Sequence, residues 1–393
     1  MRRQGGEVAK KRSSRPMRIG IVCYPTFGGS GVVATELGLA LAEKGHVVHF
    51  ITYDRPVRLP HALANVFYHE VRVSDYPLFD YQPYELVLSS KLVDVVKHER
   101  LDLLHVHYAI PHASAAWMAQ QILATHGVRI PFITTLHGTD ITLVGRDASF
   151  EPVITFAMER SNAVTAVSES LKRDTYEHFP LKRDIRVIPN FIRLDRYAGK
   201  ADSALRARFA PNGEKLLVHV SNFRPVKRVE DVVRVLLGVR VKIPARLLLI
   251  GDGPDRVRIE GMCRSEDCDA VVFLGKMTAP EEIVASCDLF LLTSETESFG
   301  LAALEAMACG VPVVSTNTGG TPEVNTHGVS GLLSPVGDVA DMTKNALEIL
   351  GSAASLERYR KGALQEAARF SVDKVLPVYE ALYAEVLAGI NGK

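Results

Sequence analysis

The chain has 393 residues, of which 47 % are hydrophobic and 23 % are charged, and its net charge at pH 7 is +1. This length corresponds to about two domains of ordinary size, and the composition is that of a packed globular protein, which excludes a disordered or fibrous chain. No apolar run approaches the roughly 20 residues of a membrane-spanning helix. Five cysteines in a chain of this length do not form a disulfide framework, so we predict a cytoplasmic protein with buried thiols.

The basic residues are unevenly distributed. Residues 1–16 contain six Lys or Arg and one Glu, so the remaining residues carry four more acidic than basic side chains. A mildly acidic body argues against a nucleic-acid partner. Residues 1–16 also lack the apolar core of a signal peptide. We predict that they form a disordered basic tail, or an upstream extension if translation starts at Met17, and that the protein has no stable membrane insertion.

From Met17 onwards, short apolar runs rich in β-branched residues alternate with segments of helical period. Buried strands that alternate with helices are typical of a parallel sheet with helices on both faces. Residues 17–195 are therefore predicted to form a Rossmann-like domain. Its predicted strands are Arg18–Cys23, Val47–Thr52, Leu103–Val106, Phe132–Thr135 and Ala163–Val167, and its predicted helices are Val32–Glu43, Ala113–Ala124 and Ser168–His178.

The stretch Ile188–Ser203 interrupts this alternation with Pro, Asn, Gly and charged residues, so we predict an interdomain linker and hinge there. Residues 196–371 are predicted to form a second Rossmann-like domain, and residues 372–393 a helix that packs back on the first. The predicted fold is thus α/β, with two doubly wound domains facing a cleft. The later predicted strands are Leu216–Val220, Arg246–Ile250, Val271–Leu274, Leu289–Leu292, Val311–Ser315 and Gly331–Leu333, and the later helices are Val229–Val239, Glu281–Cys287, Leu301–Ala308, Val339–Leu350 and Val372–Ala388.

Two motifs follow predicted strands of the first domain. The loop Gly28–Gly31 precedes a helix, where glycines and free N–H groups suit an anionic ligand, although any tight strand-to-helix turn can use glycine. Its spacing is not that of a dinucleotide fingerprint. His137 ends another strand, so it is either a cleft residue or a structural histidine. His105 and His107 alternate on one strand without a carboxylate beside them, so no metal site is predicted there.

The second domain carries two cations and two carboxylates in similar positions. Arg224 and Lys227 follow a strand directly and suit a diphosphate, unless the loop is merely solvated. Glu297 lies in the loop before a helix, and Glu305 lies within that otherwise apolar helix, where an unpaired carboxylate would be costly. Carboxylates accept strong hydrogen bonds from the hydroxyls of a sugar or a ribose. The N–H groups of Phe299–Leu301 form an anion site at the helix start.

Together these motifs resemble the retaining glycosyltransferases of family 4, which have the GT-B fold. The resemblance covers Met17 to the C-terminus, and it rests on the E-x7-E element from Glu297 to Glu305, the Arg224 and Lys227 pair, the Gly28–Gly31 loop and His137. Within the family, four stretches look most like the branch that makes N-acetylglucosaminyl malate in bacillithiol biosynthesis: Cys23–Gly31, His105–His112, Thr134–Asp140 and Ser221–Arg228.

The resemblance implies an enzyme that moves N-acetylglucosamine from UDP-N-acetylglucosamine to the hydroxyl of L-malate, with retention and without an essential metal or cofactor. It implies a catalytic group of Lys227, Arg224, Glu297 and His137. It implies donor contacts from Gly29, Ser30, Asn222, Phe299, Gly300, Leu301 and Glu305, of which Glu305 binds the ribose. The acceptor contacts are Ser30, Tyr108 and Thr139, with Arg193 as a weak candidate for the malate charge.

Other functions remain open at this point. The same family chemistry could use another nucleotide-sugar donor, or a lipid or saccharide acceptor. A nucleotide-sugar binder without turnover is disfavoured by the complete set of Lys227, Glu297 and Glu305. A nicotinamide oxidoreductase is disfavoured by the missing fingerprint. The expected partners are small-molecule substrates, and a homodimer is left open.

Overall fold

The computed structural model describes residues 15–26, 28–73, 82–143, 147–265 and 268–391, so most of the predicted basic tail lies outside the described residues. The described strands are β1 (Arg18–Val22), β2 (Val47–Thr52), β3 (Val66–Glu70), β4 (Leu103–His107), β5 (Phe132–Leu136), β6 (Ala163–Ala166), β7 (Ile185–Val187), β8 (Lys215–Ser221), β9 (Ala245–Gly251), β10 (Val271–Gly275), β11 (Leu289–Leu292), β12 (Val313–Thr316) and β13 (Gly331–Ser334).

Helices follow most of these strands in the chain. They are α1 (Gly29–Glu43), α2 (Tyr84–Glu99), α3 (Ser114–Thr125), α4 (Glu151–Arg160), α5 (Glu169–His178), α6 (Ser203–Phe209), α7 (Val229–Arg240), α8 (Arg256–Ser265), α9 (Glu281–Ala285), α10 (Leu301–Ala308), α11 (Thr321–Val324), α12 (Val339–Leu350), α13 (Ala353–Ala367) and α14 (Val372–Asn391).

The strands form two parallel sheets, which confirms the predicted α/β fold. The first sheet has the order β3-β2-β1-β4-β5-β6-β7 and the second the order β10-β9-β8-β11-β12-β13. We call the units built on them the first and the second lobe. In each sheet the strand order reverses at one point, between β1 and β4 in the first lobe and between β8 and β11 in the second. Loops diverge at such a point, and the crevice between them binds ligands in open parallel sheets.

The long helix α14 belongs to the core of the first lobe although it follows the second lobe in the chain. Its Tyr379 and Tyr383 are 1 % and 0 % exposed and pack in one apolar cluster with Ile19 and Leu37. The chain reaches this position through Ile192, whose N–H donates to Phe370 O at 2.9 Å and whose carbonyl accepts from Val372 N at 2.9 Å. The connection between the lobes and the start of α14 therefore run side by side.

The sequence prediction missed two edge strands, β3 and β7. Strand β3 is half exposed, so it lacks the continuous apolar run of the central strands, and β7 has only three residues. Helices α2, α4, α6, α8, α11 and α13 were also missed. Helices α6 and α11 are too short to show a period, with seven and four residues, whereas α2 and α13 have 16 and 15 residues and bury side chains at helical spacing.

The predicted linker Ile188–Ser203 is ordered over most of its length: Ile192 pairs with Ser371, Tyr197 is buried, and Asp202 caps α6. The proposed division into residues 17–195, 196–371 and 372–393 stays a prediction.

The prediction of buried thiols holds for only part of the cysteines. Cys23, Cys263 and Cys287 are buried, whereas Cys268 and Cys309 are half-buried and pack against the edges of the apolar clusters. Burial raises the pKa of the Cys23 thiol to about 12. Among the described helices, none has both the length and the apolar character that crossing a bilayer requires.

Candidate active site

A cleft of about 810 Å³ lies between the lobes, at the carboxyl ends of the strands that flank both reversal points. A second cavity, of about 590 Å³, lies at the opposite end of the first sheet and contains none of the predicted site residues. Apart from Glu305 and the weak candidate Arg193, all of those residues line the cleft, namely Gly29, Ser30, Tyr108, His137, Thr139, Asn222, Arg224, Lys227, Glu297, Phe299, Gly300 and Leu301.

On the second-lobe wall of the cleft, a lysine and a glutamate form an ion pair. Lys227 Nζ lies 2.5 Å from Glu297 Oε1, which also accepts a hydrogen bond from Ser294 Oγ at 2.8 Å. The two residues come from the loops after β8 and β11, which are neighbouring strands. Thr293 Oγ1 donates to Lys227 O at 2.9 Å and thereby ties the loops together. The pair thus presents a cation and a carboxylate side by side to the cleft.

The loop after β8 also presents Arg224 and Asn222 to the cleft, and both are exposed. The backbone is left-handed on either side, at Phe223 (φ 41°) and Arg228 (φ 47°), which turns this loop sharply at the end of the strand. A Cβ at Gly253 would lie 1.9 Å from Asn222 O, so a glycine is needed for the neighbouring loop to approach. Within the described residues, Arg224 makes no side-chain hydrogen bond or ion pair, which leaves its guanidinium available to an anion.

The N-terminus of α10 completes this wall. Gly300 has φ 93° and directly precedes Leu301, the first residue of the helix. Phe299, Gly300 and Leu301 all line the cleft. Free N–H groups and the positive end of the helix dipole favour a negatively charged ligand at this position.

On the first-lobe wall, Tyr108 is joined to the first turn of α1. Its hydroxyl donates to Ser30 Oγ at 2.6 Å. The prediction of a loop over Gly28–Gly31 was wrong in part, because the helix already begins at Gly29, with Gly28 as its N-cap. Burial raises the pKa of Tyr108 to about 12, so the phenol stays protonated at neutral pH. Its backbone has φ 87°, a conformation that only glycine adopts readily. Thr139 is exposed on the same side of the cleft.

A buried carboxylate that sequence reasoning missed holds this strained backbone. Asp140 is 2 % exposed, and its carboxylate accepts from Ala109 N at 2.9 Å and Gly138 N at 3.1 Å. It therefore ties together the loops after β4 and β5. Burial raises the pKa of Asp140 to about 6 in spite of these hydrogen bonds. The signal in the sequence was its place three residues after His137, at the end of β5.

His137 also has a partner that sequence reasoning did not assign. Its Nε2 lies 2.8 Å from Nδ1 of His107, and the two rings stack with their centroids 5.1 Å apart. Burial lowers the pKa of His137 to about 3 and holds the pKa of His107 well below its usual range, so both rings are neutral at pH 7. The register that places His107 beside Thr135 brings it next to His137.

Glu305 is the predicted site residue that the cleft does not contain. Its Oε1 accepts from Tyr197 OH at 2.8 Å and lies 3.7 Å from Arg58, in a buried cluster with Glu36, Glu281 and Arg196. Burial raises the pKa of Glu305. The two carboxylates of the E-x7-E element therefore do not flank one open site in this structure.

The weak candidate Arg193 is also away from the lining, because it forms an ion pair with Glu43 at 2.8 Å.

One group of side chains among the described residues has the spacing of metal ligands, but it lies outside the cleft. The ligand atoms of His49, His69 and Glu99 fall within 4.8 Å of one another. The His49 and His69 rings are already hydrogen-bonded at 2.9 Å, and Glu99 pairs with Arg18 at 3.2 Å. These contacts engage one nitrogen of each histidine ring and one oxygen of Glu99, whereas His49 Nε2 is buried without a hydrogen-bond partner among the described residues.

Comparison with known proteins assigns the chain to a family. Residues 27–196 match the family described as Glycosyltransferase Family 4, and residues 202–366 match Glycosyl transferases group 1. The chain is a glycosyltransferase and belongs to family 4. Among its relatives, the N-acetyl-alpha-D-glucosaminyl L-malate synthase of Bacillus anthracis is 46 % identical over 96 % of this chain and 99 % of its own length. The D-inositol 3-phosphate glycosyltransferase of Mycolicibacterium smegmatis is 27 % identical over 92 % of this chain and 88 % of its own.

Solved structures confirm the predicted GT-B fold. Sucrose-phosphate synthase from Thermosynechococcus elongatus superposes with a TM-score of 0.77 at 22 % identity, over 95 % of this chain and 100 % of its own. HepE of Anabaena, in complex with UDP and glucose, superposes with a TM-score of 0.75 at 19 % identity, over 93 % of this chain and 99 % of its own. At these identities the similarity establishes the fold only, and the substrates have to be inferred from the site itself.

Proposed function

We propose that this enzyme transfers N-acetylglucosamine from UDP-N-acetylglucosamine to the hydroxyl of L-malate with retention, as the first step of bacillithiol biosynthesis. The cleft supports glycosyl transfer from a nucleotide diphosphate sugar. The particular donor and acceptor rest on one observation, the 46 % identity with the Bacillus anthracis enzyme over nearly the whole of both chains.

The second-lobe wall would bind the donor. Arg224 and Lys227 would hold the diphosphate and stabilise its charge as the glycosidic bond breaks, with the N-terminus of α10 and Asn222 in support. Glu297 would accept hydrogen bonds from hydroxyls of the transferred sugar. Since Lys227 and Glu297 are paired at 2.5 Å, donor binding would replace this contact with contacts to the phosphate and to the sugar.

The first-lobe wall would bind the acceptor and the near side of the donor. Gly29 and Ser30 would lie beside the phosphates, and Ser30, Tyr108 and Thr139 would contact malate. The ribose role of Glu305 needs a rearrangement, because Tyr197 and Arg58 hold its carboxylate off the cleft lining in this structure.

We propose front-side attack for the chemical step. The malate hydroxyl oxygen bonds to the anomeric carbon on the face that the diphosphate leaves, and the hydroxyl proton passes to the departing phosphate oxygen. The carboxylate of Asp140 is buried and engaged by backbone N–H groups, and Glu297 is assigned to the hydroxyls of the transferred sugar, so neither is a ready nucleophile. Trapping a covalent glycosyl adduct on Glu297 by mass spectrometry would contradict this route.

A panel of donors and acceptors, read out as UDP release, tests the proposal. UDP-N-acetylglucosamine with L-malate should turn over fastest, and the product should have the α configuration by NMR. Faster turnover with another nucleotide sugar, or with a lipid or saccharide acceptor, would assign the other family chemistry instead. UDP binding without turnover on any acceptor would indicate a binding protein.

Further measurements address three remaining predictions. Unchanged turnover after EDTA treatment is expected if no metal is essential. Size-exclusion chromatography with light scattering tests the homodimer, and cell fractionation tests the cytoplasmic location.

A further inference from the structure

A ladder of buried histidines runs along one face of the first sheet and ends at the cleft. His105 and His107 are two residues apart on β4, and their rings stack at 4.6 Å between centroids. His107 stacks in turn on His137, which lines the cleft. His105 has both ring nitrogens occupied, by Tyr383 OH at 2.7 Å and by Thr135 Oγ1 at 2.7 Å. His107 is therefore the member of the ladder that contacts His137.

Hydrogen bonding decides which nitrogen of each ring carries the proton. Both rings are neutral, so in the 2.8 Å contact one nitrogen donates and the other accepts. His107 Nε2 is buried and has no hydrogen-bond partner in the described part of the chain. If His137 donated, His107 would have to carry its proton on this buried Nε2 as an unpaired donor. Unpaired buried N–H groups are rarer than unpaired acceptors.

His112, which follows His107 by five residues, also has one hydrogen-bonded and one unpartnered ring nitrogen. Nδ1 of His112 faces the backbone carbonyl of His107, which can only accept, so His112 is protonated at Nδ1. Its Nε2 is likewise buried without a partner among the described residues and keeps only a lone pair. His112 is thus a buried ring with an unpartnered lone pair on Nε2, which is the state that donation from Nδ1 would give to His107.

We propose that His107 is a positioning residue that donates from Nδ1 to His137 Nε2 and so fixes His137 as a hydrogen-bond donor, through Nδ1–H, to an oxygen of the bound substrate. This inference rests on the proposed function only in that the substrate oxygen belongs to the glycosyl donor or acceptor. With Nε2 occupied, Nδ1 is the ring nitrogen of His137 left to meet a ligand. A sugar hydroxyl, a phosphate or a carboxylate can accept there, whereas a group that only donates cannot.

The most direct test needs no substrate. Nitrogen-15 NMR of the histidine-labelled protein should show the His137 proton on Nδ1 and a bare Nε2 that accepts a hydrogen bond. A proton on Nε2 of His137 would overturn the proposal. If UDP release fails with every donor and acceptor, the proposed function fails, yet this spectrum still decides the tautomer.

Two substitutions of His107 distinguish a positioning role of its side chain from a role in packing alone. Asn carries its side-chain nitrogen where His carries Nδ1, so His107→Asn keeps the donor and His107→Leu removes it. We expect kcat/KM to fall about tenfold or more in His107→Leu, the loss of one hydrogen bond, and to stay within about threefold in His107→Asn. The His137 tautomer should change only in the Leu variant.

His105→Asn and His105→Leu are the matched controls, because His105 is equally buried and stacked but does not contact His137. They should lower the melting temperature while leaving the His137 tautomer unchanged and differing little from each other in kcat/KM. Equal losses in both pairs, without rescue by Asn at position 107, would show that His107 only packs. If His107→Leu does not fold, the wild-type spectrum and His107→Asn remain decisive.

Discussion

At the scale of single residues, the cleft is held in shape by charged and polar pairs that join different loops. Lys227 pairs with Glu297 across the loops after β8 and β11, and Asp140 holds the loops after β4 and β5. The Lys227–Glu297 pair lies where the strand order of the second sheet reverses, and Asp140 lies between the next two loops of the first sheet, one strand away from its reversal point. Polar residues that join two loops in this way position their neighbours as well as any ligand, so their removal should affect activity more than overall folding.

Lys227→Ala removes the cation from the second-lobe wall. Loss of one group that stabilises developing charge typically lowers turnover by about 10²–10³, and we expect a fall of this size in the UDP-release assay. Circular dichroism should show a folded protein, because Glu297 keeps its hydrogen bond from Ser294. The exposed Lys242 of the same lobe, changed to Ala, is the control and should retain wild-type activity. Activity of Lys227→Ala near that of the control would refute the assigned role.

Asp140 predicts a pH dependence of stability. Burial raises the pKa of Asp140 from 3.8 to about 6. Between these two pH values the carboxyl group is protonated in the folded state and ionised in the unfolded state. The resulting stabilisation is present at low pH and disappears as the pH rises through about 6, a difference of about 2 kcal/mol between pH 4.5 and 7.5. In urea unfolding, the free-energy difference between wild type and Asp140→Asn should be larger at pH 4.5 by about this amount.

The control for this experiment is Asp269→Asn, whose side chain is 87 % exposed. Its free-energy difference from wild type should stay constant over the same range. A constant difference for Asp140→Asn as well would show that Asp140 has an ordinary pKa in the folded protein.

At the scale of elements, α14 shows how a helix distant in sequence supports the site. The buried hydroxyl of Tyr383 lies 2.7 Å from His105 Nδ1 on β4, the strand that also carries His107. The helix is therefore joined to the strand behind the cleft by an apolar face and by a buried hydrogen bond. The contribution of the buried hydrogen bond to the free energy of unfolding should be measurable with a substitution that removes only the hydroxyl.

Tyr383→Phe removes the hydroxyl and leaves His105 Nδ1 without its partner. A buried polar group that loses its partner destabilises a protein by about 1–3 kcal/mol, and we expect urea unfolding to show a loss in this range. Tyr53→Phe, at a side chain that is 40 % exposed in the same lobe, should be nearly neutral. Equal effects of the two substitutions would mean that the hydrogen bond to His105 contributes nothing.

At the scale of the whole molecule, the lobes share an apolar cluster and the ion cluster around Arg58 and Glu305, and specific hydrogen bonds also join them beside the cleft. Ser168 Oγ donates to Ser298 O at 2.6 Å, and the carboxylate of Glu323 accepts from Glu169 N and Ser170 N at 2.9 and 2.8 Å. Glu323 of the second lobe thus caps the N-terminus of α5 in the first lobe, where a negative charge is favourable. These contacts help to hold the two walls of the cleft at their distance.

Gly138→Ala should disturb this distance. A Cβ at Gly138 would lie 1.6 Å from Ser298 Oγ and 2.7 Å from Ser298 Cβ. Rotation of the serine side chain relieves only the first contact, so the two loops would have to move apart. We expect kcat/KM to fall about tenfold or more, since a displacement of about 1 Å can reduce activity strongly, and the radius of gyration from small-angle scattering to rise. Adding Ser298→Gly removes the obstructing side chain and should restore part of the activity.

Gly45→Ala is the control for backbone strain. Gly45 also has positive φ, at 91°, but its Cβ would meet no atom within 4 Å. It should lower stability by about 1 kcal/mol without affecting activity. If Gly138→Ala behaves like Gly45→Ala, the lobe contact at Ser298 is unimportant for turnover.

The sequence determined most of the fold and nearly all of the residues on the second-lobe wall of the cleft. Central strands of parallel sheets are buried on both faces, so they appear as apolar runs, and the polar residues that follow them mark the cleft. Lys227, Glu297 and His137 were found in this way. The half-exposed strand β3 and the three-residue strand β7 give no such signal, because their local composition does not differ from that of loops.

Only the tertiary structure decided which side chains meet. Glu305 lies against Tyr197, which is 108 residues away, and not in the cleft, and His107 meets His137 through the register of β4 and β5. The local sequence predicts where a strand ends, because burial and periodicity are properties of neighbouring residues. The partner of a buried polar group depends on strand register, helix docking and the approach of the two lobes, and these are set by packing between distant parts of the chain.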